Sequence, residues 1–314
     1  MTETKVAFLF AGQGAQRLGM AKDLYKAFPI VKETFDKASQ LLGYDLRQLI
    51  DHDEEKLNQT QYTQPAILAT SLAIYRLLEA NGMKPEVMAG LSLGEYSALV
   101  ASGALSFEDA VPLVAKRGFL MEKAAPKGSG KMVAVLNTDV SLIESICEKA
   151  SKFGYVRPAN YNTPQQIVIG GDTKAVNEAV EQLKAAGVKR LIPLNVSGPF
   201  HTALLKDASL GLAKELEMIS ISKCHIPVIG NTEAKLMPKE KIKTLLERQV
   251  MEPVRFYESI ELMKKMGVNK IVEIGSGKVL SGFVKKIDKS IAISNVEDVE
   301  TFEQLLKNKE TIWN

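Results

Sequence analysis

Apolar residues in this chain come in short runs that give way to glycines or polar turns, and their spacing predicts alternating strands and helices. Residues 5–11 (KVAFLFA) form an unbroken apolar run ending in glycines, the pattern of a buried strand that closes in a tight loop. Residues 87–91 (VMAGL) repeat that pattern. Between them, residues 64–80 have helical composition, with Pro65 placed near the first turn. Residues 92–101 read as a helix with Gly103 as its stop, and residues 107–125 as another with Ser106 as N-cap. Strands that alternate with helices predict an α/β protein with a mostly parallel sheet.

The pattern changes at Pro126. Residues 126–130 (PKGSG) read as a hinge. Beyond it the chain predicts a strand at 132–137, a helix at 140–152, strands at 156–160 and 166–170, a helix at 174–186 ended by Gly187, and a strand at 190–196. The order βαββαβ is the ferredoxin-like arrangement. It predicts a small domain over residues 127–196, inserted between residues 1–126 and 197–314 of a larger domain. The larger sheet resumes at 227–230 and 270–275 (KIVEIG).

Composition narrows the function class. Hydrophobic residues make up 46% and charged residues 25% of 314, which excludes a disordered or fibrous chain. Two cysteines, Cys147 and Cys224, support neither a disulfide framework nor a thiolate metal site. Forty basic against 37 acidic residues give a net charge of +3, too even for a nucleic-acid binder but suited to an acidic partner. No segment approaches the ~18 apolar residues of a membrane span; residues 66–78 come nearest and carry Thr70, Ser71 and Arg76. The polar residues 1–5 lack the architecture of a signal peptide, so a reduced, cytoplasmic setting is expected.

Gly90-Leu91-Ser92-Leu93-Gly94 fits G-x-S-x-G where a predicted strand meets a predicted helix, the context in which a sharp turn lifts a serine hydroxyl above a sheet edge. The larger domain is therefore expected to be hydrolase-like. The helix that follows points its first amides at the site and favours developing negative charge. A serine nucleophile needs a base, and there are three histidines. His52 lies in an acidic stretch that reads as a solvated loop, and His225 reads as structural. His201, in Ser197-Gly198-Pro199-Phe200-His201, falls just after the small domain and before a helix expected at 202–217. A helix N-terminus favours the neutral imidazole that a general base requires.

Two glycine-rich turns remain. Gly12-Gln13-Gly14-Ala15-Gln16 is no dinucleotide fingerprint, because Arg17 stands where glycine is needed; its amides could complete an oxyanion hole with that of Leu93. Gly275-Ser276-Gly277-Lys278 fails as a phosphate loop, since Val272 occupies the first glycine position and Val279 follows the lysine. Arg117, on the helix predicted at 107–125, reads as solvated, as most arginines there would be, and spacing alone assigns it no chemistry.

Taken together and in order, Gly12-Gln13-Gly14-Ala15-Gln16, Ser92-Leu93-Gly94-Glu95-Tyr96, Arg117, Pro199-Phe200-His201, Gln249 and Pro253-Val254-Arg255 closely resemble the malonyl-CoA:acyl-carrier-protein transacylase family of bacterial type II fatty acid synthesis. The resemblance spans essentially the whole chain. Two departures are visible: Leu91 where many relatives carry histidine, and Ala15 for a common serine.

The resemblance implies a ping-pong acyltransferase that moves malonyl from malonyl-CoA to the pantetheine thiol of an acidic acyl carrier protein, with no metal or redox cofactor, as a monomer without nucleic acid or membrane. It implies Ser92 as nucleophile and His201 as base and then acid. It further implies the Gln249 carbonyl as orienter of the imidazole, amides of Gln13 and Leu93 as oxyanion hole, and Arg117 as the grip on the malonyl carboxylate. Asn160 and Asn231 are expected near the thioester or pantetheine path. Lys184, Lys189 and Arg190 are candidates for carrier docking. A serine thioesterase or carboxylesterase accounts equally for Ser92 and His201 but not for the inserted unit. A polyketide-type acyltransferase and a noncatalytic carrier-binding module are the other readings of the same residues.

Overall fold

In chain order the strands of the computed structural model are β1 (Val6–Phe10), β2 (Val87–Gly90), β3 (Gly130–Leu136), β4 (Val156–Thr163), β5 (Gln166–Asp172), β6 (Leu191–Pro193), β7 (Val228–Ile229), β8 (Lys270–Ile274) and β9 (Ala292–Val296). The structure describes residues 4–126 and 128–313. Lys127, where the inserted unit is expected to start, lies outside them, as do Met1 to Glu3 of the polar N-terminus.

Five strands make one sheet in the order β7-β2-β1-β8-β9, and every pairing in it is parallel. The central strand β1 is buried along its whole length. Its alternate residues serve two cores: Phe8 and Phe10 face the helices that carry Tyr75 and Tyr96, while Ala7 and Leu9 face Ile260, Met263 and Phe283. A sheet covered on both faces needs strands without polar alternation, which is the pattern of residues 5–11. Phe10 pairs with Gly90 on one side and Ile274 on the other. The three strands therefore end together, and the loops after them share one edge of the sheet, where ligands of open parallel sheets bind.

The other four strands form an antiparallel sheet, β4-β5-β3-β6. With helices Val140–Ala150 and Thr173–Ala185 they complete the βαββαβ order. Val133, Val135, Ile167 and Ile169 pack under those helices, whereas Met132, Ala134 and Val168 face the main core.

Several boundaries differ from the sequence expectation. The helix expected from residue 64 begins at Thr60 (Thr60–Ala80), so Pro65 lies in its second turn. The Glu122 carboxylate accepts from the Thr60 N–H at 2.6 Å, an end-cap supplied from 62 positions away. Only Leu191–Pro193 of the expected strand 190–196 pairs in the sheet. The acidic stretch around His52 is not a loop: helix Leu46–His52 ends there and Asp53 caps the next turn. The helix expected at 202–217 opens with a 3-10 turn, Ala203–Leu205, before Lys206–Glu217.

Candidate active site

The chain turns from β2 into helix Leu93–Ala101 within two residues, and contact distance dictates which residues fit. A Cβ on Gly90 would lie 2.0 Å from the Gly94 carbonyl carbon, and one on Gly94 would lie 2.1 Å from the Phe10 oxygen. Ser92 is held at φ 52°, ψ −106°, a conformation that costs an L-residue on the order of 1–3 kcal/mol. Asn231, 139 positions away, holds the turn in place. Its Oδ1 accepts from Ser92 N at 2.7 Å and its Nδ2 donates to Gly90 O at 2.7 Å. Asn231 is 1% exposed, and its contact with Ser92 places it beside the nucleophile.

His201 reaches the serine from the segment that returns from the small sheet. Its Nε2 lies 2.8 Å from Ser92 Oγ and its Nδ1 lies 2.7 Å from the main-chain oxygen of Gln249. A carbonyl only accepts, so Nδ1 carries the proton and the Nε2 lone pair faces the serine hydroxyl. The His201 N–H also donates to Val250 O at 3.1 Å, so two successive carbonyls grip one residue whose φ is 59°. Burial, and then the nearby Arg117 cation, push the His201 pKa down to about 4. The ring is therefore neutral at neutral pH, but not because of a helix N-terminus: the α-helix begins five residues later.

Arg117 is not solvated. It is 1% exposed, carried by helix Phe107–Ala124. That helix crosses Thr60–Ala80 so closely that a Cβ on Gly118 would sit 2.5 Å from Thr60 O. Arg117 Nη2 donates to Ser92 Oγ at 3.2 Å and to Gln249 Oε1 at 2.8 Å, and the guanidinium lies 5.2 Å from the Tyr96 ring centre. Its buried Nε has no partner, and among the described residues no carboxylate is ion-paired with it. Ser92 Oγ thus accepts from a cation while it donates to an imidazole.

Gln249 contributes its side chain as well as its carbonyl. Its Nε2 donates to Ser92 O at 2.9 Å, which sequence reasoning missed because that reading used only the backbone. Gln13 and Leu93 have main-chain N–H groups without a partner among the described residues. The Gly12 loop abuts the elbow, since a Cβ on Gly12 would lie 2.3 Å from Leu91 O. A cavity of about 100 Å³ opens beside it, lined by residues including Gln13, Leu91, Glu273 and Val279. Asn160 is buried on β4 and bridges Val254 through its backbone; its side chain has no hydrogen bond to Ser92, His201 or Arg117.

The residue that sequence reasoning left without a role is Glu95. It is 1% exposed, one helical turn beyond Ser92, and its Oε2 accepts from Asn231 N at 2.6 Å. Burial pushes its pKa up to about 7, opposed by Asn231, Gln249 and Arg117. A glutamate in the first turn of a mostly apolar helix is the signal that was available. The Gly275–Lys278 turn offers no phosphate cradle: Glu273 accepts from Leu280 N and Ser281 N, and Glu297 from Gly277 N. Of the basic residues considered for docking, Lys184 pairs with Glu181 at 2.8 Å. Lys189 and Arg190 are exposed beside the end of β3 remote from the hinge.

The acyl transferase domain family model matches residues 7–311. A malonyl CoA-acyl carrier protein transacylase of Bacillus subtilis is 46% identical over 312 residues, covering 98% of each chain. Among solved structures, an MCAT from Streptococcus pneumoniae is 65% identical with a TM-score of 0.95, over 97% of this chain and 100% of that one. A malonyl-transacylase in complex with a type II PKS acyl-carrier protein is 43% identical with a TM-score of 0.95, over 97% and 100%.

Proposed function

The chain belongs to the acyl transferase domain family, among the malonyl CoA-acyl carrier protein transacylases, and from that premise we propose that it transfers malonyl from malonyl-CoA to the pantetheine thiol of an acyl carrier protein. The observation that carries this reading is Arg117. A buried guanidinium with no ion-paired carboxylate among the described residues, hydrogen-bonded to the Ser92 hydroxyl, suits an acyl group that brings its own carboxylate.

His201 Nε2 takes the Ser92 proton as Oγ attacks the thioester carbonyl. The oxyanion forms against the free amides of Gln13 and Leu93, where loss of one such donor typically costs ~3–4 kcal/mol. The tetrahedral intermediate expels CoA, and the proton held by His201 goes to the leaving thiolate. A malonyl-serine ester remains, with its carboxylate on Arg117. The carrier's thiol then gives its proton to His201 and attacks the ester, and Ser92 regains the proton as it leaves. No metal or redox cofactor enters this sequence. An acidic carrier would meet a basic surface on this chain, with Lys189 and Arg190 the candidates, and a cytoplasmic monomer is the form in which we expect it to act. No helix among the described residues is long and apolar enough to cross a membrane.

The test is acylation. Carboxyl-labelled malonyl-CoA should leave about one label per wild-type chain and none on Ser92→Ala. The label should pass to added carrier protein faster than to water. Release to water at the same rate with or without carrier would instead identify a hydrolase.

A further inference from the structure

Arg117 and Glu95 are both buried, and among the described residues no ion pair joins them. Neutral amides separate them: Arg117 Nη2 donates to Gln249 Oε1, Gln249 Nε2 to Asn231 Oδ1 at 3.5 Å, and Asn231 N to Glu95 Oε2. The other groups around Glu95 leave it as the acid facing Arg117. Tyr96, on its own helix, is held protonated by burial, its pKa pushed up to about 12. Strands β1 and β2 carry no titratable residue, and helix Thr60–Ala80 contributes none that acts on it. His201, on which Arg117 also acts, is neutral at neutral pH.

A carboxylate arriving on Arg117 would place a second negative charge beside one buried cation. Two like charges sharing one buried site do not both stay ionised. We propose that Glu95 is a positioning residue for the substrate carboxylate: it balances Arg117 while the acyl pocket is empty, and takes one proton from solvent when a carboxylated acyl group binds. When the acyl group leaves, the proton returns to solvent and the starting charge is restored. The proposal rests on the reading of Arg117 as the carboxylate grip. With Glu95 titrating at about 7 when the pocket is empty, uptake should be small at about pH 6 and approach one proton at about pH 8. Over that range malonyl-CoA affinity should weaken by up to ~10-fold per pH unit.

The experiment counts protons by calorimetry in buffers of different ionisation enthalpy, titrating malonyl-CoA or acetyl-CoA into the Ser92→Ala protein so that no ester forms. The expected result is uptake with malonyl-CoA only, retained with His201→Ala added and lost with Glu95→Gln added. Glutamine keeps an acceptor for Asn231 N, and a purely structural role for Glu95 predicts that malonyl-CoA binds the parent Ser92→Ala protein, glutamate in place, without uptake. Binding of malonyl-CoA without uptake, or uptake that survives Glu95→Gln or vanishes with His201→Ala, overturns the proposal alone. Failure of malonyl-CoA to bind overturns the reading of Arg117 and the proposal with it. Should Glu95→Gln not fold, the comparison of the two thioesters with and without His201 still decides.

Discussion

The His201 imidazole is oriented by the main-chain oxygen of Gln249, 2.7 Å from Nδ1, and not by a carboxylate. Orientation therefore does not depend on which side chain residue 249 carries, while that side chain has its own work on Ser92 O and Arg117. Gln249→Ala should leave the imidazole in place and loosen the guanidinium. Hydrogen bonds to charged groups contribute about 1.5–3 kcal/mol, so kcat/KM for malonyl-CoA should fall roughly 10- to 100-fold. Steady-state kinetics should show the loss mainly in KM, with acylation by a small neutral serine probe little changed.

Substrate choice should reside in Arg117. Arg117→Ala removes the group that meets the malonyl carboxylate, and breaking a buried charged pair costs ~2–5 kcal/mol. Malonyl transfer should drop accordingly, and the preference for malonyl-CoA over acetyl-CoA should narrow. Parallel assays of the two thioesters measure this, and unchanged selectivity would remove Arg117 from its role.

The pH dependence follows from the lowered pKa of His201. Because the folded ring binds its proton only near pH 4, the acid limb of serine acylation should lie near there and not at the ordinary 6.5 of histidine. The stability sign is the same. Between 6.5 and 4 the unfolded chain binds the proton first, so this residue makes the fold less stable as pH falls through that window. Removing the Arg117 cation should move the acid limb upward, as measured with a neutral serine-reactive probe.

Backbone geometry at the elbow predicts an inversion of the usual glycine penalty. Ser92→Gly should be more stable than Ser92→Ala by about 1 kcal/mol, since only glycine adopts a positive φ without strain. Urea denaturation of the two inactive variants gives the comparison. Gly94→Ala should lose folded protein outright, because the Phe10 oxygen it would meet is backbone and cannot move aside.

Much of this was legible wherever the physical cause is local. The buried strand at residues 5–11, the Ser106 cap whose side chain accepts from Asp109 N, and the two glycines around Ser92 all follow from neighbours in the chain. The βαββαβ order was readable for the same reason: each of its elements carries its own periodicity. Gln249 as orienter came from resemblance alone, because a main-chain carbonyl has no residue signature.

What the amino-acid order determined by itself was most of the strands, the helices of the inserted unit and where a serine must be lifted onto a sheet edge. Tertiary structure alone decided the electrostatics. It buried Arg117, which reads as a surface residue in the sequence, and set Asn231 against Ser92 from 139 positions away. It also made His201 neutral through burial and a cation, with no α-helix starting beside it. Burial and charge proximity depend on which distant segments come together, and a linear pattern carries only its own neighbours.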